Sequence, residues 1–193
     1  MTKKKKEELY NDSWMYILLL TTLTILLESL KTYTFKIMGV KLTYSLFLLP
    51  FVYFIVNYIV KKYDYKKGIA AIAISGVMFV CFTAIMSFAM GESLILSSVS
   101  GEFCGYVVSQ FINLTIYVFL LNNTKSPYIL VLLNYIFALI VYYMFYTLIY
   151  LNVIILDDFW KGYFITLFIQ IILCVPITIV DKKIKRGREK EVL

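Results

Sequence analysis

The chain has 193 residues, of which 61% are hydrophobic and 16% charged, against about 45–50% and about 25% in ordinary soluble domains. Mean hydropathy is +0.82. These values exclude a water-soluble globular enzyme, a disordered tail and a nucleic-acid-binding domain. The net charge of +7 is local: 14 of the 19 Lys and Arg lie in the two tails and at residues 61–67, as at the edges of membrane helices.

Histidine is absent, so no imidazole base, proton relay or metal ligand is available. Cys81, Cys104 and Cys174 sit in separate apolar runs and read as small buried hydrophobes, without disulfide or metal spacing. No cofactor, metal site or catalytic residue is expected.

A membrane span needs about 20 mostly apolar residues, and six runs qualify at roughly 14–35, 42–61, 69–90, 103–121, 127–151 and 158–180. The expected fold is an all-α membrane protein, a six-transmembrane-helix bundle in one integral membrane domain over 1–193. Lys3–Lys6 precede an apolar run too long for a cleaved signal, so it reads as the first span. There Thr21, Thr24, Glu28, Lys31 and Thr32 share a face. Glu28 is the deepest carboxylate, open either to an ion pair with Lys31 or to a ligand or proton-coupling role.

A polar turn over Lys36–Lys41, with Gly39, leads to the second span. It carries Tyr53, Asn57 and Lys61 at helical spacing and Pro50, expected to kink the helix. The charged hinge Lys61–Gly68 precedes a third span rich in Ala, Ser and Gly, suited to close packing. Residues 91–102 read as a polar connection. In the fourth span Glu102, Tyr106, Ser109, Gln110, Asn113 and Tyr117 fall in one sector, opposite a lipid face of Val107, Val108, Phe111, Leu114 and Val118. Gly101 and Gly105 form a weak GxxxG pair. The turn at Asn122–Pro127 opens the fifth span, with Asn134, Tyr142 and Tyr146 along one side. Asp157 and Asp158 precede the sixth, which carries Tyr163, Thr166 and Gln170 on one face.

Fifteen basic residues fall on one side of this arrangement and four (Lys31, Lys36, Lys41 and Lys161) on the other, placing both termini in the cytoplasm. Tyr10, Trp14, Tyr16, Phe159 and Trp160 suit interfacial anchoring. Polar groups inside spans face a bundle interior or cavity, or join helices. Asn, Gln and Tyr suit a flat, neutral, hydrogen-bonding ligand. The candidate binding residues are Glu28, Tyr53, Asn57, Glu102, Tyr106, Gln110, Asn113, Asn134, Thr166 and Gln170.

The passage IMGVKLTYSLFLLPFVYFIVNYIVKKYDYKK, residues 37–67, and GEFCGYVVSQFINLTIYVF, residues 101–119, resemble the VUT family, bacterial six-span proteins regarded as transporters of queuosine precursors. Gly39, Pro50, Lys61, Lys66–Lys67, Ser109 and Gln110 carry the resemblance, with Asn134 and Pro176 as weaker matches. Family charges are replaced at Asn57, Asn113, Phe137 and Thr166. The resemblance implies import of queuine, a deazaguanine-type base or another small heterocycle, for salvage into tRNA modification, across the cell membrane. The replacements point away from a cationic aminomethyl-deazaguanine. Alternatives are a substrate-binding subunit of an energy-coupling-factor transporter, which needs a separate ATPase module, and a non-transport membrane scaffold. The expected partners are the bilayer, a small heterocycle, and either further copies of the chain or an energy-coupling module. Neither an enzyme nor a nucleic-acid partner is expected.

Overall fold

Long apolar runs free of interior breakers satisfy their own backbone as helices, and most of this chain does so. The computed structural model describes residues 3–30, 33–89, 96–123, 127–145 and 156–191. Among these residues six helices follow in order: α1 (Lys3–Ser29), α2 (Leu49–Lys62), α3 (Tyr65–Ala89), α4 (Leu96–Asn123), α5 (Pro127–Phe145) and α6 (Leu156–Glu191). Between α1 and α2 lie strands β1 (Thr34–Ile37) and β2 (Val40–Thr43), then one 3-10 turn at Tyr44–Phe47. Among the described residues four segments are long and apolar enough to cross a membrane: Tyr44–Lys62, Tyr65–Ala89, Phe103–Leu121 and Phe159–Ile179. This is compatible with an all-α membrane bundle.

The hairpin corrects the first two expected spans. The first ends at Ser29 rather than near 35, and the helix of the second begins at Leu49 rather than 42. The intervening sequence alternates β-branched or aromatic residues with polar ones, a strand pattern. Met38 and Gly39 both take positive φ, 52° and 83°, the two-residue turn whose twist matches paired strands. Register runs from Thr34 opposite Thr43 to Ile37 opposite Val40. Val40, Leu42 and Thr43 are buried, and β2 packs against α6.

Pro50 does not kink a helix. It occupies the first turn of α2, where proline removes no intrahelical hydrogen bond. The 14-residue α2 is enclosed by α1, α3, α4 and α6. Its link to α3 is the expected charged hinge, reduced to Tyr63 and Asp64. The Asp64 carboxylate caps α3 by accepting the Lys67 amide at 2.6 Å. Gly68 lets α3 press onto its neighbours, because a Cβ there would collide with Val60 and Leu114.

Residues 96–102 belong to α4, not to a polar connection. Leu114, expected on the lipid face, is buried against Gly68 of α3. Phe111 does lie exposed. Large apolar side chains line the outside of the helices: on α6 Trp160, Phe164, Phe168, Ile172, Val175 and Ile179 form one exposed stripe. Water would penalise so much exposed apolar surface, and lipid does not. Cys81 and Cys104 are exposed rather than buried, and only Cys174 is enclosed.

Candidate functional site: a buried amide and phenol cluster

Eight of the ten candidate residues are buried: Tyr53, Asn57, Tyr106, Gln110, Asn113, Asn134, Thr166 and Gln170. The periodicity of α4 explains three of them. Tyr106, Ser109, Gln110, Asn113 and Tyr117 recur at three- and four-residue steps, and all turn inward. Glu28 is half-buried near the end of α1. Lys31, its expected partner, and the side chain of Glu102 lie outside the described residues, as do Tyr146 and the side chains of Asp157 and Asp158.

Three asparagines from three helices meet directly. Asn57 of α2 and Asn113 of α4 exchange amide hydrogen bonds, at 3.2 Å toward Asn113 Oδ1 and 3.0 Å toward Asn57 Oδ1. Asn134 of α5 donates to the same Asn113 Oδ1. Asn113 Nδ2 also reaches the Tyr53 carbonyl at 3.5 Å. Asn113 therefore ties α4 to both α2 and α5.

Beside this node, Tyr53 and Tyr135 place their ring centroids 5.5 Å apart. The Tyr135 hydroxyl donates to the Pro50 carbonyl at 2.8 Å. Tyr135 escapes a sequence search for polar stripes because most of its ring simply reads as core. Its neighbours Val131, Ala138 and Leu139, all buried, were the available signal.

Tyr106 serves a different function from an open lining. Its hydroxyl hydrogen-bonds with Thr24 of α1 at 3.1 Å and Ser75 of α3 at 2.8 Å, and its ring lies parallel to Phe79. It joins three helices. Thr166 is likewise satisfied locally, donating to the Gly162 carbonyl one turn back at 2.8 Å. Gln170 Nε2 approaches the Leu46 carbonyl of the 3-10 turn at 3.4 Å, linking α6 to the start of α2.

Several enclosed polar atoms keep no partner. Among the described residues they include both side-chain polar atoms of Gln110, Asn134 Oδ1 and Gln170 Oε1. Such atoms are rare in folded proteins and mark where water or a guest completes the bonding. They offer neutral donors and acceptors on α4, α5 and α6. Among the described residues no group of His, Cys, Asp and Glu is placed to hold a metal ion.

A separate contact closes one end of the bundle. Lys62 Nζ sits 2.6 Å from Asp12 Oδ2. The ammonium also lies 4.7 Å from the Tyr16 ring centre, 5.2 Å from that of Tyr63 and 6.0 Å from that of Tyr58. Tyr16 thus packs around a cation, besides any anchoring at an interface. The Lys62 ammonium holds the Asp12 carboxyl below its ordinary value. Comparison with known proteins finds no matching family model, no matching curated protein and no matching solved structure.

Proposed function

We propose that the chain is a multi-pass transporter of the cell membrane, with both termini in the cytoplasm, that imports a small hydrogen-bonding heterocycle. A queuosine precursor, meaning queuine or a deazaguanine-type base, is the specific candidate. One observation carries this proposal: buried neutral amides from α4, α5 and α6 retain unpartnered polar atoms. Polar groups are costly inside a membrane protein, and those not consumed by helix contacts are the ones available to a substrate. The absence of histidine favours recognition by hydrogen bonds over imidazole chemistry. The distribution of basic residues, fifteen against four, supports the orientation.

The test is complementation. In a salvage-dependent strain, the chain should restore queuosine in tRNA when queuine or a deazaguanine base is supplied. A correctly inserted protein that restores none contradicts the proposal. Should the chain co-purify with an ATPase module, the substrate-binding subunit of an energy-coupling transporter becomes the better description.

A scaffold without transport is the second reading, favoured by the mutual bonding of Asn57, Asn113 and Asn134. Full function in an Asn113→Leu, Gln110→Leu double variant would support it.

A further inference from the structure

Gln110 is the exception on its own helix face. Around it, Tyr106 bonds to Thr24 and Ser75, Ser109 donates to the Tyr106 carbonyl at 2.9 Å, and Asn113 bonds to two other asparagines. Gln110 is 0% exposed, yet neither its carbonyl oxygen nor its amide nitrogen has a partner. The other enclosed side chains in this condition leave one polar atom each.

A primary amide with both ends open sets a strict requirement. Its carbonyl needs a donor, and its NH2 needs an acceptor close by. A cation would satisfy only the oxygen, and an anion only the nitrogen. A neutral group presenting adjacent C=O and N–H, the cis-amide edge of a lactam or a urea, satisfies both through two parallel hydrogen bonds. The neighbouring node explains how the side chain is held for this task. Asn113, one turn along α4, ties that helix to α2 and α5. On α5, Asn134 keeps an unpartnered oxygen that offers a further contact to a bound guest.

We propose that Gln110 reads the lactam edge of a neutral ligand, while Asn57 and Asn113 hold the helices rather than the ligand. This rests on the transport function proposed above and assigns the specificity within it to one side chain. A site built to bond such an edge rejects an analogue lacking it far more strongly than a merely apolar pocket does.

The experiment uses the full chain purified in detergent and two probes. One is 7-deazaguanine, and the other is 7-deazapurine, which keeps the ring size but has neither the lactam nor a 2-amino group that could pair with the amide in its place. Calorimetric Kd values are measured for the wild type and for Gln110→Met, a near-isosteric apolar replacement. The wild type should bind 7-deazaguanine at least about tenfold more tightly than the analogue. Gln110→Met should bind both alike while its unliganded Tm is retained or raised. Equal affinities in the wild type overturn the inference, as expected if only an ordered water serves Gln110. Discrimination that persists in Gln110→Met also overturns it, and leaves transport standing. A wild type that binds neither base overturns it too, and failure of complementation would then remove the transport function as well. If Gln110→Met does not fold, the comparison of the two bases on the wild type decides alone.

Discussion

Asn57 and Asn113 hold each other by two opposed amide hydrogen bonds, 3.2 and 3.0 Å long, across the α2–α4 contact. Asn134 adds a third helix to the same oxygen. The arrangement converts three isolated polar residues, each unfavourable in an apolar bundle, into one interhelical lock.

Asn113→Leu removes the shared member and strands the amides of Asn57 and Asn134. We expect a loss of about 2 kcal/mol, seen as a lowered Tm in detergent. Adding Asn57→Leu should cost less than the sum of the single changes, because the two side chains share one interaction. Additive losses would show that the pair is not coupled.

Tyr106→Phe should be milder. The ring and its parallel packing on Phe79 are kept. Thr24 still donates to the Leu20 carbonyl at 2.8 Å, and Ser75 to the Ile72 carbonyl at 3.1 Å. The expected cost is about 1 kcal/mol. Thermal unfolding of the variant measures it, and a collapse of folding would mean that the hydroxyl holds more than these two helices.

Gly162 faces the Tyr143 hydroxyl so closely that any Cβ at this position collides with it. Gly162→Ala should therefore destabilise by about 1–3 kcal/mol through overpacking. Tyr143→Phe in the same chain should recover part of that loss, since the colliding oxygen is gone. Measuring Tm for both variants checks the pair.

The Asp12–Lys62 contact predicts a pH dependence. Lys62 lowers the Asp12 pKa below its ordinary 3.8. A depressed carboxylate stabilises the fold above the unfolded value, and the contribution disappears as pH falls through the folded value. Wild type should thus exceed Asp12→Asn in Tm at pH 7, with the gap closing below about pH 3.8. Because Asp12 is half exposed, 48%, the gap should be small and should shrink in high salt. A gap that widens in acid contradicts this assignment.

The helices and the inward face of α4 were legible because a 3.6-residue period is written directly in polar and apolar positions. Ser109, Gln110 and Asn113 could be placed inside on that basis alone. The hairpin was not, because Thr34–Thr43 continues an apolar run and its strand character competes with a span count made by hydropathy. Met38–Gly39 was the available signal, weakened by a methionine at a position that usually takes Asn, Asp or Gly. Pro50 was misplaced for the same reason: once α2 begins at Leu49, the proline has no helix before it to kink. Nor does periodicity distinguish residues that line a space from residues that bond one another. Tyr106 and Asn113 share a face with Gln110, yet partners on other helices separate their fates.

Reconstituted uptake shows whether the chain carries a heterocycle across a bilayer. Purified chain is inserted into liposomes, and entry of radiolabelled 7-deazaguanine is followed against empty liposomes and against the Gln110→Met variant. Entry well above empty liposomes is expected in the wild type, with a loss of about tenfold or more in the variant. Entry no faster than in empty liposomes, from protein shown to be folded and inserted, would contradict it.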